Sequence, residues 1–412
     1  MLSMERVLLL SETSSTLVSP MGDPNSLILS LPCLLLTTLA LLHYPTYSVA
    51  QTLFVFGDGY YDAGNKQFLS GNRVDANSPP YGISVGEATG RWSDGRIVPD
   101  YLAGFMSIPR IPPILRSSAD FSHGASFAVA DATVLGSPLE TMTLSEQVKK
   151  FSRNKNKWTD KALSEAIYLT YIGSDDYLNY AKSNPNPSAD QKQAFVDQVI
   201  TSIEAAIKLV HEAGGRKFAF QNLPPLGCLP MVKQETGNEK DCVKLPSEMA
   251  ALHNNNLLKL IEKLAQDLES FQYSFYDFFS SVQNRVFEPE TYSKVLIQII
   301  ISYVFKPGPF MVLCVGAVFG TGTAACCGTG TLKGTDCAAK NVCVNPKEYV
   351  FFDGKHLTQE ANFQVAHLMW NADPQVSEPN NLRELLVFPL DIPFIYNVKR
   401  LDQVGKTGSF VI

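Results

Sequence analysis

Phe54-Val55-Phe56-Gly57-Asp58-Gly59-Tyr60-Tyr61-Asp62-Ala63-Gly64-Asn65 decides the fold. Thr52 to Phe56 is an uninterrupted apolar run of strand-forming residues, and it stops at Gly57-Asp58. Such a run suits a strand buried on both faces of a parallel sheet. Three further segments read the same way: Ala166 to Ile172, Phe218 to Phe220 and Tyr273 to Phe278. Between them lie helical patterns. Gln191 to Ala213 carries apolar residues near 3.6 spacing and ends at Gly214-Gly215. Ser247 to Leu268 and Leu357 to Trp370 are two more. Alternating strands and helices point to an α/β fold with a mostly parallel sheet. In such folds the strand-end loops on the carboxyl edge carry the site.

The whole chain has 412 residues, is 45% hydrophobic and carries a formal net charge of −6. That suits one large domain over residues 51–390. Mild acidity and the absence of a basic run exclude a nucleic-acid footprint. Leu27 to Leu42 is uncharged and has the length of a signal-peptide core, followed by the small-residue pattern Ser48-Val49-Ala50. Residues 1–50 are therefore expected to be an extension plus signal peptide, with Met21 as an alternative start and the mature chain beginning near Gln51. A membrane anchor is the competing interpretation, but a span needs about 20 apolar residues and Pro32 interrupts this run. No stable membrane span is expected after cleavage. Residues 391–412 form a tail with little periodicity.

Eight cysteines are present, one of them, Cys33, in the leader. Of the rest, Cys228, Cys242, Cys326, Cys327, Cys337 and Cys343 can form three disulfides in an oxidising compartment, with the pairing left open. Cys314 is odd. It lies in Val295 to Phe319, an almost uncharged stretch broken by Lys306-Pro307-Gly308-Pro309. A translated intron or other gene-model error explains it better than a membrane hairpin or two buried strands. No metal or other cofactor is expected.

Seven blocks carry a family resemblance. They are the opening Phe54–Asn65 stretch, Thr89-Gly90-Arg91-Trp92-Ser93-Asp94-Gly95-Arg96, His123-Gly124-Ala125-Ser126-Phe127-Ala128, Tyr171-Ile172-Gly173-Ser174-Asp175-Asp176, Asn222 to Pro230, Cys326-Cys327-Gly328 and Asp353-Gly354-Lys355-His356. In this order they resemble the plant GDSL esterase/lipase family of the SGNH hydrolase superfamily. The resemblance implies a three-layer α/β/α fold with a five-stranded, mostly parallel sheet. The wording around Gly59 and Ala130-Asp131-Ala132-Thr133 is similar to the myrosinase-associated and epithiospecifier-modifier group of Brassicales.

Ester hydrolysis on this scaffold needs a nucleophile, a histidine to deprotonate it and an aspartate to orient the histidine. Asp353 and His356 have the required Asp-x-x-His spacing. The family's other positions, carried over by resemblance, are altered. Gly59 stands at the nucleophile serine, Asp131 at the oxyanion-hole glycine and Asp175 at the oxyanion-hole asparagine. An ionised carboxylate only accepts hydrogen bonds, so Asp175 is expected to repel an oxyanion and Asp131 to add to that. Tyr60 and Tyr61 are poor substitutes because a phenol's reference pKa is about 10. Ser93 reads as a turn or cap serine, His123 as a loop residue, His211 as a partner of its own helix's carbonyls, and His253 and His367 as structural. A divalent cation held by Asp58, Asp131, Asp175, Asp353 and His356 is a weighed alternative to a relic pocket of hydrogen-bonded acids.

The expected function is that of a non-catalytic accessory protein of the myrosinase–glucosinolate defence system. It would be carried through the secretory pathway to the apoplast or vacuole, with myrosinase or glucosinolate breakdown products as partners. An active secreted ester hydrolase and a secretory structural or storage-associated protein are the alternatives.

Overall fold

The apolar runs form a twisted sheet whose carboxyl edge gathers the sequence blocks described above. The structure, a computed structural model, describes residues 51–69, 75–136, 139, 141–291 and 319–390. The leader, the tail and all of the anomalous stretch except Phe319 lie outside the described residues, as do the expectations placed on them.

The chain begins with β1 (Leu53–Gly57), then α1 (Val98–Phe105), β2 (Gly124–Ser126), α2 (Leu144–Asn154), α3 (Asp160–Glu165) and β3 (Ile167–Tyr171). Next come α4 (Ser174–Ser183), α5 (Ala189–Glu212), β4 (Lys217–Gln221), α6 (Pro230–Thr236), α7 (Lys244–Asp267), β5 (Gln272–Tyr276) and α8 (Phe278–Phe287). The described part closes with β6 (Thr321–Ala325), β7 (Tyr349–Phe351), α9 (Gln359–Asn371), β8 (Ser377–Glu378) and α10 (Leu382–Val387).

The main sheet has the order β2-β1-β3-β4-β5-β8. Its first five strands are parallel, and β8 adds a short antiparallel edge. Phe54 lies beside Ala125 on one side and Tyr168 on the other. Every residue of β1, β4 and β5 is buried, which is why those segments read as continuous runs rather than alternating ones. Helices cover both faces: α1 packs on α9, while α5 packs on α2 and α7.

Two differences from the sequence expectation have local causes. β2 is only Gly-Ala-Ser, too short and too small to stand out as an apolar run. The strand expected to reach Phe278 stops at Tyr276, because the Asp277 side chain accepts the Ser280 N–H and caps α8.

The disulfides are Cys228–Cys242, Cys326–Cys343 and Cys327–Cys337. The last two brace the small parallel sheet of β6 and β7. The Cys326 and Cys327 N–H groups donate to Phe351 and Phe352 O, immediately before Asp353. The oxidising-compartment chemistry thus stiffens the segment that carries the Asp-x-x-His loop. No helix among the described residues is long and apolar enough to cross a membrane.

Candidate functional site

Gly57 ends β1 with φ +151°, and a Cβ there would stand 2.2 Å from Tyr171 O. Only glycine lets the ends of β1 and β3 come this close. The Gln147 amide clamps the same residue, accepting its N–H at 2.9 Å and donating to its carbonyl at 2.8 Å. Asp58 and Gly59 are thereby held on the carboxyl edge.

Opposite them lies the loop after β7. Asp353 Oδ1 accepts the N–H groups of Lys355 at 2.8 Å and His356 at 2.6 Å. The same carboxylate meets His356 Nδ1 at 2.9–3.0 Å. Tyr81 donates its hydroxyl to Asp353 Oδ2 at 2.9 Å. Burial works to raise the Asp353 pKa, but the facing imidazole and the donated hydrogen bonds outweigh it and hold the carboxyl below its usual value. An ionised Asp353 fixes the proton on Nδ1 and leaves Nε2 as the free acceptor. Trp92 and Tyr60 flank the ring at centroid distances of 5.3 and 5.4 Å. The orienting half of a hydrolytic triad is intact.

The other half is missing in space as well as in sequence. A Cβ built on Gly59 would lie 2.5 Å from His356 Nε2. The imidazole therefore occupies the position that a nucleophile's side chain would need. Nε2 is buried and makes no hydrogen bond among the described residues.

The structure corrects two electrostatic expectations. Asp175, near the start of α4, is not a bare carboxylate, because its Oδ1 pairs with Lys355 Nζ at 2.5 Å. Lys355 is 8% exposed. Burial pulls its pKa down, yet Asp175 and Asp58 more than offset this and raise it. Asp131 pairs with Lys66 at 3.0 Å, and its side chain is 39% exposed. It keeps φ +62°, a left-handed conformation suited to the glycine that the resemblance implies there. Neither acid stands free to repel an oxyanion. At residue 175 the site holds an internal ion pair rather than a neutral amide.

Asp58 is fully buried. Burial, helped by Asp175 and opposed by Lys355, pushes its carboxyl up to about 8. The cation alternative finds no support in the geometry: among the described residues no group of His, Cys, Asp or Glu could hold a metal ion. Asp131 and Asp175 are committed to lysines and Asp353 to His356.

The remaining candidates are occupied structurally. Tyr60 donates to Lys355 O at 2.6 Å and Tyr61 to Gln221 Oε1 at 2.8 Å. Ser93 is fully buried, and its hydroxyl donates to Leu357 O at 3.0 Å. His123 meets Gln51 O through Nδ1. His253 is buried beside the Tyr177 hydroxyl, and burial lowers its pKa to about 3. His367 is half-buried among Phe105 and Phe363. His211 departs from expectation: its Nε2 bonds Glu269 O, while Arg216 takes the helix-end carbonyl of residue 211.

Lys355, Tyr81, Trp92 and Gln147 are site residues that sequence reasoning missed. Lys355 had a signal, since a lysine inside Asp-x-x-His complements an aspartate at the donor position. Tyr81 and Gln147 had none, because they arrive from loops and helices remote in the chain.

The family described as GDSL-like Lipase/Acylhydrolase matches residues 53–369. The chain is 66% identical over 375 residues to "Inactive GDSL esterase/lipase-like protein 25" of Arabidopsis thaliana, covering 91% of this chain and 84% of that protein. It is 42% identical over 350 residues to "GDSL esterase/lipase ESM1" of the same plant, covering 82% and 83%. With "Inactive GDSL esterase/lipase-like protein 23", also of Arabidopsis thaliana, it shares 38% identity over 351 residues, covering 83% and 84%.

Proposed function

The chain belongs to the GDSL-like lipase/acylhydrolase family, and from that premise we propose that it no longer hydrolyses esters and serves as an accessory protein of the myrosinase–glucosinolate system. One observation carries the loss of hydrolysis: His356 Nε2 stands 2.5 Å from where a side chain at residue 59 would begin. The imidazole thus leaves no room beside residue 59 for a side-chain hydroxyl in its present position. The Lys355–Asp175 pair supports the same conclusion, because a donor amide has been replaced by a carboxylate that needs its own counter-ion. Two relatives bearing the word inactive in their names agree.

The accessory role rests on the sequence likeness to the myrosinase-associated and epithiospecifier-modifier group. Because Nε2 and Asp175 Oδ2 are both closed off from solvent, a docking surface suits this role better than a pocket at the old nucleophile. Three disulfides and the leader sequence favour passage through the secretory pathway, ending in apoplast or vacuole.

The test has two arms. Purified mature protein should turn over a short-chain p-nitrophenyl ester no faster than its His356→Ala variant; a clear difference between them refutes the loss of hydrolysis. Immobilised protein should retain myrosinase from a seed extract, and failure to do so refutes docking.

A further inference from the structure

The stretch from Lys149 to Lys161 holds six lysines and arginines against one acid, Asp160, in a chain whose formal net charge is −6. Neutral residues are interleaved with the cations, so no continuous basic run marks them in the sequence. The structure gathers them at one end of a helix. α2 buries Leu144, Gln147, Val148 and Phe151 and passes straight into one turn of 3-10 helix, Lys155–Lys157. Trp158 pins that turn: its indole N–H donates to Phe121 O at 2.7 Å, and its ring packs 4.7 Å from that of Phe54 at the start of β1. With these apolar side chains turned inward, Lys149, Arg153, Lys155, Lys157 and Lys161 are exposed and Lys150 is partly so. Gln147 grips Gly57 at the far end of β1, so the cations lie by the amino edge of the sheet, away from His356.

Most of these cations lack a counter-ion. Among the described residues none of Lys149, Lys150, Arg153 and Lys155 pairs with a carboxylate. Lys157 lies over the Phe121 ring at 5.7 Å, and Lys161 reaches Glu165 only at 4.0 Å. On α4, α5 and α7, by contrast, Lys182, Lys192, Lys208, Lys244 and Lys263 each hold a carboxylate. The acid before the patch, Glu146, is occupied in capping α2. The dipole of α2 favours a cation in its last turn, which accounts for Arg153 alone. Lys149 and Arg153 stand i,i+4 as like charges, an arrangement that weakens a helix. Fold stability therefore does not explain the pattern, and an external anion would relieve it.

The chemistry discriminates between polyanions. Five of the six cations are lysines, and lysine is depleted at protein–protein interfaces, whose centres are built on aromatic and other apolar anchors. A helix lying on a membrane needs its apolar face outward, whereas Val148 and Phe151 face the core. Single-stranded nucleic acid needs exposed rings to stack on, and Trp158 is buried. A linear polymer of carboxylates needs neither pocket nor anchor, only cations set along its path. We propose that the end of α2 and the turn after it bind an acidic polysaccharide, a polyuronate. The choice of a carbohydrate polyanion rests on the secretory passage proposed above. The patch shares no residue with Gly59, Asp175, Asp353, Lys355 or His356, so it stands whether or not hydrolysis is lost.

The test is biolayer interferometry of the whole mature protein against polygalacturonate, its fully methyl-esterified neutral form, double-stranded DNA and phosphatidylserine vesicles. Polygalacturonate should bind and the esterified chain should not, with affinity falling steeply between about 50 and 200 mM salt. The Lys149→Gln/Arg153→Gln/Lys155→Gln variant removes three exposed cations. It should keep the parent's melting temperature and lose about 10-fold in affinity. Lys240→Gln/Lys259→Gln/Lys347→Gln makes the same change in net charge at exposed lysines elsewhere, and should lose no more than about 2-fold. Equal losses in the two variants overturn the proposal, because net charge alone would then be at work. So do absence of polygalacturonate binding at low salt, equal binding of the esterified chain, and tighter binding of DNA or vesicles than of polygalacturonate.

Discussion

Restoring the nucleophile by itself, Gly59→Ser, should not restore catalysis. In a working triad the serine Oγ lies about 2.8 Å from Nε2, which places Cβ roughly 3.5 Å away. Here the Cβ position is 2.5 Å from Nε2, so the imidazole must retreat by about 1 Å. The ring is anchored through Nδ1 to Asp353 and held between Trp92 and Tyr60. Straining a charge-assisted hydrogen bond of this kind costs about 1–3 kcal/mol. The backbone at residue 59 itself is no obstacle, because it does not lie in the left-handed region. The variant should therefore fold, with a melting temperature lowered by about 1–4 °C. Its ester turnover should remain poor, since loss of one oxyanion donor costs on the order of 10² to 10³. Combining Gly59→Ser with Asp131→Gly, Asp175→Asn and Lys355→Ala should raise turnover at least about 100-fold above the single variant. Steady-state p-nitrophenyl ester kinetics and differential scanning calorimetry on both proteins provide the check. If the single variant matches the quadruple one, or melts with the parent, the steric and electrostatic reasoning is wrong.

The quadruple variant includes Lys355 for a reason that is itself testable. Lys355→Met and Asp175→Asn should each destabilise by about 3–5 kcal/mol by orphaning a buried charge, while the double variant should be close to the parent. Additive losses in urea unfolding would contradict that coupling. Asp58 keeps its proton in the folded protein up to about pH 8, whereas an unfolded chain releases it near 4. The folded state thus binds more protons across that window, and stability from this group falls as pH rises from 4 to 8, by at most about 1.4 kcal/mol per unit. Asp58→Asn should flatten the melting-temperature profile over that range; an unchanged profile rejects the assignment. Asp131→Gly exchanges a half-exposed ion pair for relief of a left-handed backbone, so chemical denaturation should shift by no more than about 1 kcal/mol.

The fold was legible because a parallel sheet writes itself as short apolar runs. β1, β3, β4 and β5 are buried on both sides, and their sequences say so. β2 escaped because three small residues gain their strand geometry from pairing with β1 rather than from any pattern of their own. Asp353 and His356 were read from their spacing, and Gly59, Asp131 and Asp175 from the family resemblance; the structure places them on loops and at the start of α4, at the carboxyl edge. The ion pairs of Asp131 and Asp175 were not legible, since Lys66 and Lys355 reach them across space. Disulfide pairing was likewise invisible: adjacent Cys326 and Cys327 take different partners, a choice made by the path of the β6–β7 segment.

Covalent labelling tests the central claim most directly. Purified mature protein is incubated with a fluorophosphonate and weighed by intact-mass spectrometry beside the quadruple variant. The account predicts no adduct on the natural chain and one adduct, at residue 59, on the variant. A stoichiometric adduct on the natural chain, mapped to any residue of the cleft around His356, would contradict it.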